Sequence, residues 1–128
     1  MKRIFVDTNY FLRFLRDDGQ KQAEIVRALF EKAVTDEVVI FTSILVFFEL
    51  YWVTKSVYKK NKLEVIHLLK KFLSMHFVQI EEKEQLNEAV ILYEKRNIEL
   101  EDCYNLSFAK YRRAQVFATF DKKIKYQE

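Results

Sequence analysis

Residues 1–16 read MKRIFVDTNYFLRFLR, and the decisive stretch is Ile4-Phe5-Val6 running straight into Asp7-Thr8-Asn9. The apolar run predicts a short buried strand over Lys2–Val6. Behind it, apolar residues at 11, 12, 14 and 15 fall at helical spacing, which predicts a helix over Thr8–Asp17. A buried strand that ends on a carboxylate and hands over to a helix has two readings. Asp7 caps the helix, or it belongs to a site at the carboxyl end of the strand.

The same alternation continues outward. Asp17-Asp18-Gly19 is a turn, and Gln20–Thr35 is helical with Ala23, Val26, Ala28, Leu29, Phe30 and Ala33 on one side. Val38–Phe41 is a second strand, and Thr42 and Ser43 are candidate caps for the apolar helix Ile44–Tyr58. Asn61–Met75 is an amphipathic helix, Phe77–Ile80 a third strand, and Glu84–Arg96 and Asp102–Arg113 two further helices. Gln115–Thr119 reads as a fourth strand, and Asp121 opens a last helical turn. Short apolar strands alternating with helices predict an α/β fold with three layers, α/β/α, around a central parallel sheet of four to five strands. In such sheets ligands collect at the carboxyl ends of the strands.

Length and composition bound the rest. The chain has 128 residues, half of them apolar and 16% aromatic, which predicts one domain over 1–128 with a real core and excludes a disordered chain. No apolar run reaches the ~20 residues of a membrane helix. The opening reaches a charge at once and has no small-residue cleavage site, unlike a signal peptide. One cysteine rules out an internal disulfide and suits a cytoplasmic protein. There is no proline and one glycine, so neither GxGxxG nor a Walker-type phosphate loop can be built. The net charge of +3 permits a polyanionic partner without demanding one.

Carboxylates must therefore carry any phosphate chemistry, and four stand out. Asp7 and Asp121 each follow a predicted strand, and each is equally readable as a helix cap. Asp102 starts a helix inside the acidic stretch Glu99-Leu100-Glu101-Asp102, which is also readable as a solvated loop. Glu49 stands in Ile44-Leu45-Val46-Phe47-Phe48-Glu49-Leu50-Tyr51-Trp52-Val53, a helix apolar nearly all round and so expected to be buried. A buried carboxylate costs several kcal/mol unless it is paired or binds a metal, and no Lys or Arg lies three or four residues away. A distant arginine would answer that, or a divalent cation.

Clustered carboxylates without histidine or cysteine select Mg²⁺ or Mn²⁺, and the cation removes their mutual repulsion. The two histidines, His67 and His76, read as structural or solvent-facing, and Cys103 has no histidine base beside it. Arg13, Arg16, Lys55, Lys59, Lys60, Lys62, Arg112, Arg113, Lys122 and Lys123 are candidates for gripping a phosphate backbone, or simply solvated faces.

With these residues in hand the chain resembles a PIN domain, and within that family the toxin of a VapBC toxin–antitoxin pair. The resemblance is carried by Ile4-Phe5-Val6-Asp7-Thr8-Asn9, by Val46-Phe47-Phe48-Glu49-Leu50, by Glu101-Asp102-Cys103-Tyr104-Asn105-Leu106-Ser107-Phe108-Ala109 and by Ala118-Thr119-Phe120-Asp121. It covers nearly the full length. It implies a Mg²⁺- or Mn²⁺-dependent endoribonuclease in which Asp7, Glu49, Asp102 and Asp121 line one acidic pocket. Asn9 and Thr119 would support them, and Glu99 would stand behind them. It also implies an RNA substrate, a small VapB-like antitoxin laid across the groove, and a homodimer. Two departures from the family pattern, Glu99-Leu100-Glu101-Asp102 in place of Asp-Phe-x-Asp and Cys103-Tyr104 in place of a small pair, keep the acids but bear on the substrate mouth.

Rival readings differ at single residues. A haloacid-dehalogenase-type phosphatase needs a second Asp where this chain has Asn9, and a receiver domain needs its acids distributed otherwise. A PIN-like module that binds RNA or protein without cleaving, and an RNA-processing nuclease that works without an antitoxin, both share the sequence features above.

Overall fold

The computed structural model describes residues 1–16 and 21–127. The predicted turn at Asp17-Asp18-Gly19 lies outside the described residues. The chain divides into two compact units, Met1–Glu81 and Glu82–Glu128.

The first unit holds the sheet. Its elements run β1 (Lys2–Phe5), α1 (Thr8–Arg16), α2 (Lys21–Val34), β2 (Val38–Thr42), α3 (Ile44–Trp52), a π-helical turn (Val53–Val57), α4 (Lys62–Leu73) and β3 (Val78–Ile80). The strands pair in the order β1-β2-β3, all parallel, with Lys2 opposite Val38 and Ile40 opposite Val78. The α/β class with a parallel sheet is as expected from the alternating pattern. The strand number is not: three strands pair among the described residues, where four to five were expected. Gln115–Thr119 forms no strand despite its apolar residues. Nor is β1 buried on both faces. Lys2, Arg3 and Phe5 are exposed and Ile4 is half-covered, as β1 lies at the edge of the sheet with β2 as its one neighbour among the described residues.

Aromatic rings knit the helices of this unit together. Phe11 of α1 meets Phe72 of α4 edge to face at 4.9 Å between centroids and Phe30 of α2 at 5.7 Å. Phe47 of α3 extends the row to Phe72 at 6.3 Å. Phe11, Phe47 and Phe72 are wholly buried, and such pairs prefer this tilted geometry because the ring edge is positive and the face negative. Capping fixes where the helices begin. The Ser43 hydroxyl accepts from the Val46 N–H to start α3. Asn61 and Glu64 form a reciprocal capping box at the start of α4. Thr42, also a candidate cap, instead ends β2 and donates its hydroxyl to the Val6 carbonyl at 2.8 Å.

The second unit is a helical pair, α5 (Lys83–Lys95) and α6 (Leu100–Tyr111), followed by an irregular segment to Gln127. Leu86, Ala89, Val90 and Tyr93 of α5 and Leu100, Cys103 and Leu106 of α6 are buried. The tail is tied down by Arg96, whose guanidinium donates to the Lys125 carbonyl at 2.8 Å, and by the Tyr126 hydroxyl, which donates to the Ala114 carbonyl. With glycine nearly absent, α2 and α6 close through side-chain-bearing residues in the left-handed region, Asp36 at φ 61° and Arg113 at φ 59°. Each end carries the paired backbone bonds of a Schellman motif: Glu37 N–H to Lys32 and Asp36 N–H to Ala33, then Ala114 N–H to Ala109 and Arg113 N–H to Lys110.

Candidate active site

In the first unit the chain leaves β1 through buried Val6 and presents Asp7 at the carboxyl end of the strand, exposed. The Asp7 carboxylate accepts the Thr8 N–H at 2.8 Å. This is the first N–H of α1, whereas a capping side chain takes the second or third. Thr8 is buried, and its hydroxyl donates to Glu49 Oε2 at 3.2 Å. One residue thus holds two carboxylates, Asp7 from the end of β1 and Glu49 from α3, by its backbone and its side chain. Asn9 follows on α1 and is exposed.

Glu49 is not buried, as its apolar surroundings led one to expect. It lies on the exposed side of α3. The helix turns Val46, Phe47, Leu50 and Tyr51 into the core, and Leu45, at 64% exposure, and Trp52, at 58%, share the outer side with Glu49. The desolvation argument for a cation at Glu49 therefore falls away. What remains is proximity: α3 carries Glu49 to the start of α1, where Asp7 already stands.

Thr8 is the site residue that the sequence pattern does not single out. Its position between an acid and a helix was visible. That its hydroxyl turns inward to a residue 41 positions away was not.

In the second unit Asp102 is half-buried in the first turn of α6, and exposed Glu99 takes the N-cap position with no side-chain capping bond. Acids in a first helical turn gain from the exposed N–H groups there. The second departure from the family pattern, Cys103-Tyr104, serves packing. Cys103 is fully buried, and the Tyr104 hydroxyl donates to Glu82 Oε1 at 2.8 Å, fixing α6 to the residue that opens α5. Asp121 lies on the irregular tail. Its carboxylate accepts the Lys123 N–H at 2.9 Å, and its own N–H donates to the Thr119 hydroxyl at 3.0 Å. Asp121 thus closes a turn and opens no helix, so the last helical turn expected after it does not form.

The donor set suits a hard cation, since Asp7 and Glu49 offer carboxylate oxygens and no nitrogen or sulfur competes. Among the described residues no group of three or more His, Cys, Asp or Glu side chains is arranged to hold a metal ion. No described helix is long and apolar enough to cross a membrane. No curated protein and no solved structure matches the chain. The family model of the PIN domain does match, over residues 4–127, and so the chain belongs to the PIN domain family, whose fold is generally that of a nuclease.

Proposed function

We propose that this protein is a Mg²⁺- or Mn²⁺-dependent endoribonuclease, the toxin of a VapBC-type toxin–antitoxin pair. The observation that carries the reading is the pairing of Asp7 and Glu49 on Thr8, within a family whose fold is generally nucleolytic. Asp7, Glu49, Asp102 and Asp121 would hold the ion, in one PIN domain over 1–128 with α/β/α layers. When bound, such an ion neutralises phosphate charge and makes water acidic enough to supply the nucleophile.

The chain's own residues do the positioning. The Thr8 N–H and hydroxyl each fix one oxygen of a carboxylate, which leaves each a second oxygen that Thr8 does not engage. Thr119 steadies the backbone at Asp121, Asn9 stands beside the first acid, and Glu99 opens the helix that carries Asp102. Lysines and arginines supply the backbone grip for RNA. A VapB-like antitoxin covering the acids, a homodimer and a cytoplasmic location complete the reading.

The test is a cleavage assay on end-labelled structured and unstructured RNAs, with Mn²⁺ or Mg²⁺, beside Asp7→Asn and beside EDTA. Metal-dependent cuts that vanish in both controls support the proposal. Absence of both cleavage and Mn²⁺ binding by titration overturns it, in favour of a module that binds without cutting.

A further inference from the structure

Away from the acids, the first unit carries a cavity of about 310 Å³ where the end of α1, the π-helical turn and α4 meet. This is the lower end of the range for small-molecule sites. Three observations converge there. The Arg16 guanidinium lies over the Tyr58 ring, 3.6 Å from its centroid, and both line the cavity. A guanidinium this close over a ring makes a cation–π pair, and both of its groups are flat surfaces of the kind on which a base stacks. Thr54, on the π-helical turn and 2% exposed, also lines the cavity, and its buried hydroxyl has no hydrogen-bond partner. Buried polar groups are nearly always satisfied, and an exception points to a missing partner. π-helical turns, too, are frequent at functional positions. Finally, three cations, Arg16, Lys60 and Lys71, line the cavity together with one carboxylate, Glu64. That carboxylate is already engaged, 3.6 Å from Lys60 and in the Asn61 capping box.

We infer that this cavity binds a nucleotide, with the base stacked on the Arg16–Tyr58 pair, a base edge bonded to the Thr54 hydroxyl, and the phosphate held by the Lys60–Lys71 rim. Leu15, Leu63 and Leu68 supply the apolar wall a base needs. Stacking on a guanidinium or aromatic plane tolerates any base, so the site reads nucleotides as a class. Neither charge alone nor apolar lining alone accounts for all three observations. A bare anion would leave the stack and the hydroxyl unused, and an aliphatic ligand would leave the cations unused. The cavity is distinct from the carboxylates, since Arg16 ends α1 while Asp7 precedes its start, a rise of about 13 Å along nine residues. The ligand is either a free mononucleotide or one residue of an RNA chain.

Titration calorimetry on the full chain in EDTA separates these. The probes are AMP, UMP, adenosine, inorganic phosphate and a short oligoribonucleotide, with Thr54→Val, Arg16→Ala and Asp7→Asn as variants. The mononucleotides are expected to bind at least tenfold tighter than adenosine or phosphate. Arg16→Ala should lose about tenfold of that affinity and Thr54→Val several-fold, with circular dichroism unchanged. Asp7→Asn should bind the mononucleotides as the parent does. Oligonucleotide binding that is tighter than theirs and weakened by Arg16→Ala assigns the site to a chain, and oligonucleotide binding equal to theirs assigns it to a free nucleotide. Mononucleotides that bind no better than phosphate, or affinity untouched by both cavity variants, would overturn the inference. Because metal is absent and Asp7 dispensable in this experiment, its outcome is independent of whether the protein cleaves RNA.

Discussion

Thr8 puts a side chain of no charge in command of two that carry one each. Thr8 is buried, and at 3.2 Å the bond its hydroxyl gives to exposed Glu49 is a long one. Losing such a bond costs about 0.5–1.5 kcal/mol. Replacing Thr8 by Val keeps the shape and removes the hydroxyl. The expected result is a folded protein whose RNA cleavage, measured as kcat/KM, falls roughly threefold to tenfold. Thr8→Ser restores the hydroxyl and should recover most of the rate. Valine cleaving as fast as threonine would mean that Glu49 finds its place without help. The residue scale is also where reading the sequence worked least evenly. Asp7 at the end of a strand could be read from the apolar run before it, because a strand's end is a local property. The exposure of Glu49 could not, because Leu45, Phe48 and Trp52 make α3 look uniformly apolar. Which side of an apolar helix faces the core is decided by its neighbours.

Among the elements, local signals sufficed where the chemistry is local. The start of α3 was legible in Ser43 and the strand β2 in its β-branched run, and both formed as expected. Gln115–Thr119 has strand-like residues and no strand, because pairing needs a partner edge that no local pattern specifies. The end of Ile44–Tyr58 as a π-helical turn was equally hidden, since it arises from backbone bonds such as that from the Tyr58 N–H to the Val53 carbonyl. Helix ends make a sharper prediction. Arg113 closes α6 in the left-handed region, where a Cβ costs about 1–2 kcal/mol. Arg113→Gly removes the Cβ but frees the unfolded chain. The net gain expected in urea unfolding is about 0.5–1 kcal/mol. A loss instead would show that the arginine side chain contributes more than its backbone strain costs.

For the whole molecule, the chain spends its apolar residues unevenly. Phe11, Phe47 and Phe72 are sealed in the first unit, yet Leu45, Trp52, Leu63 and Val116 stand in the open. A protein of net charge +3 has little repulsion to keep such side chains apart. The same unevenness leaves one thiol in the chain, at Cys103, with no exposed surface at all. That feature makes the protein its own stopwatch. A thiol reagent finds nothing to react with until Cys103 is uncovered, so the labelling rate in native buffer counts the openings that expose α6. The expected course is one equivalent of label, slow in buffer and fast in denaturant. Immediate labelling of the native chain would show that α6 spends much of its time open.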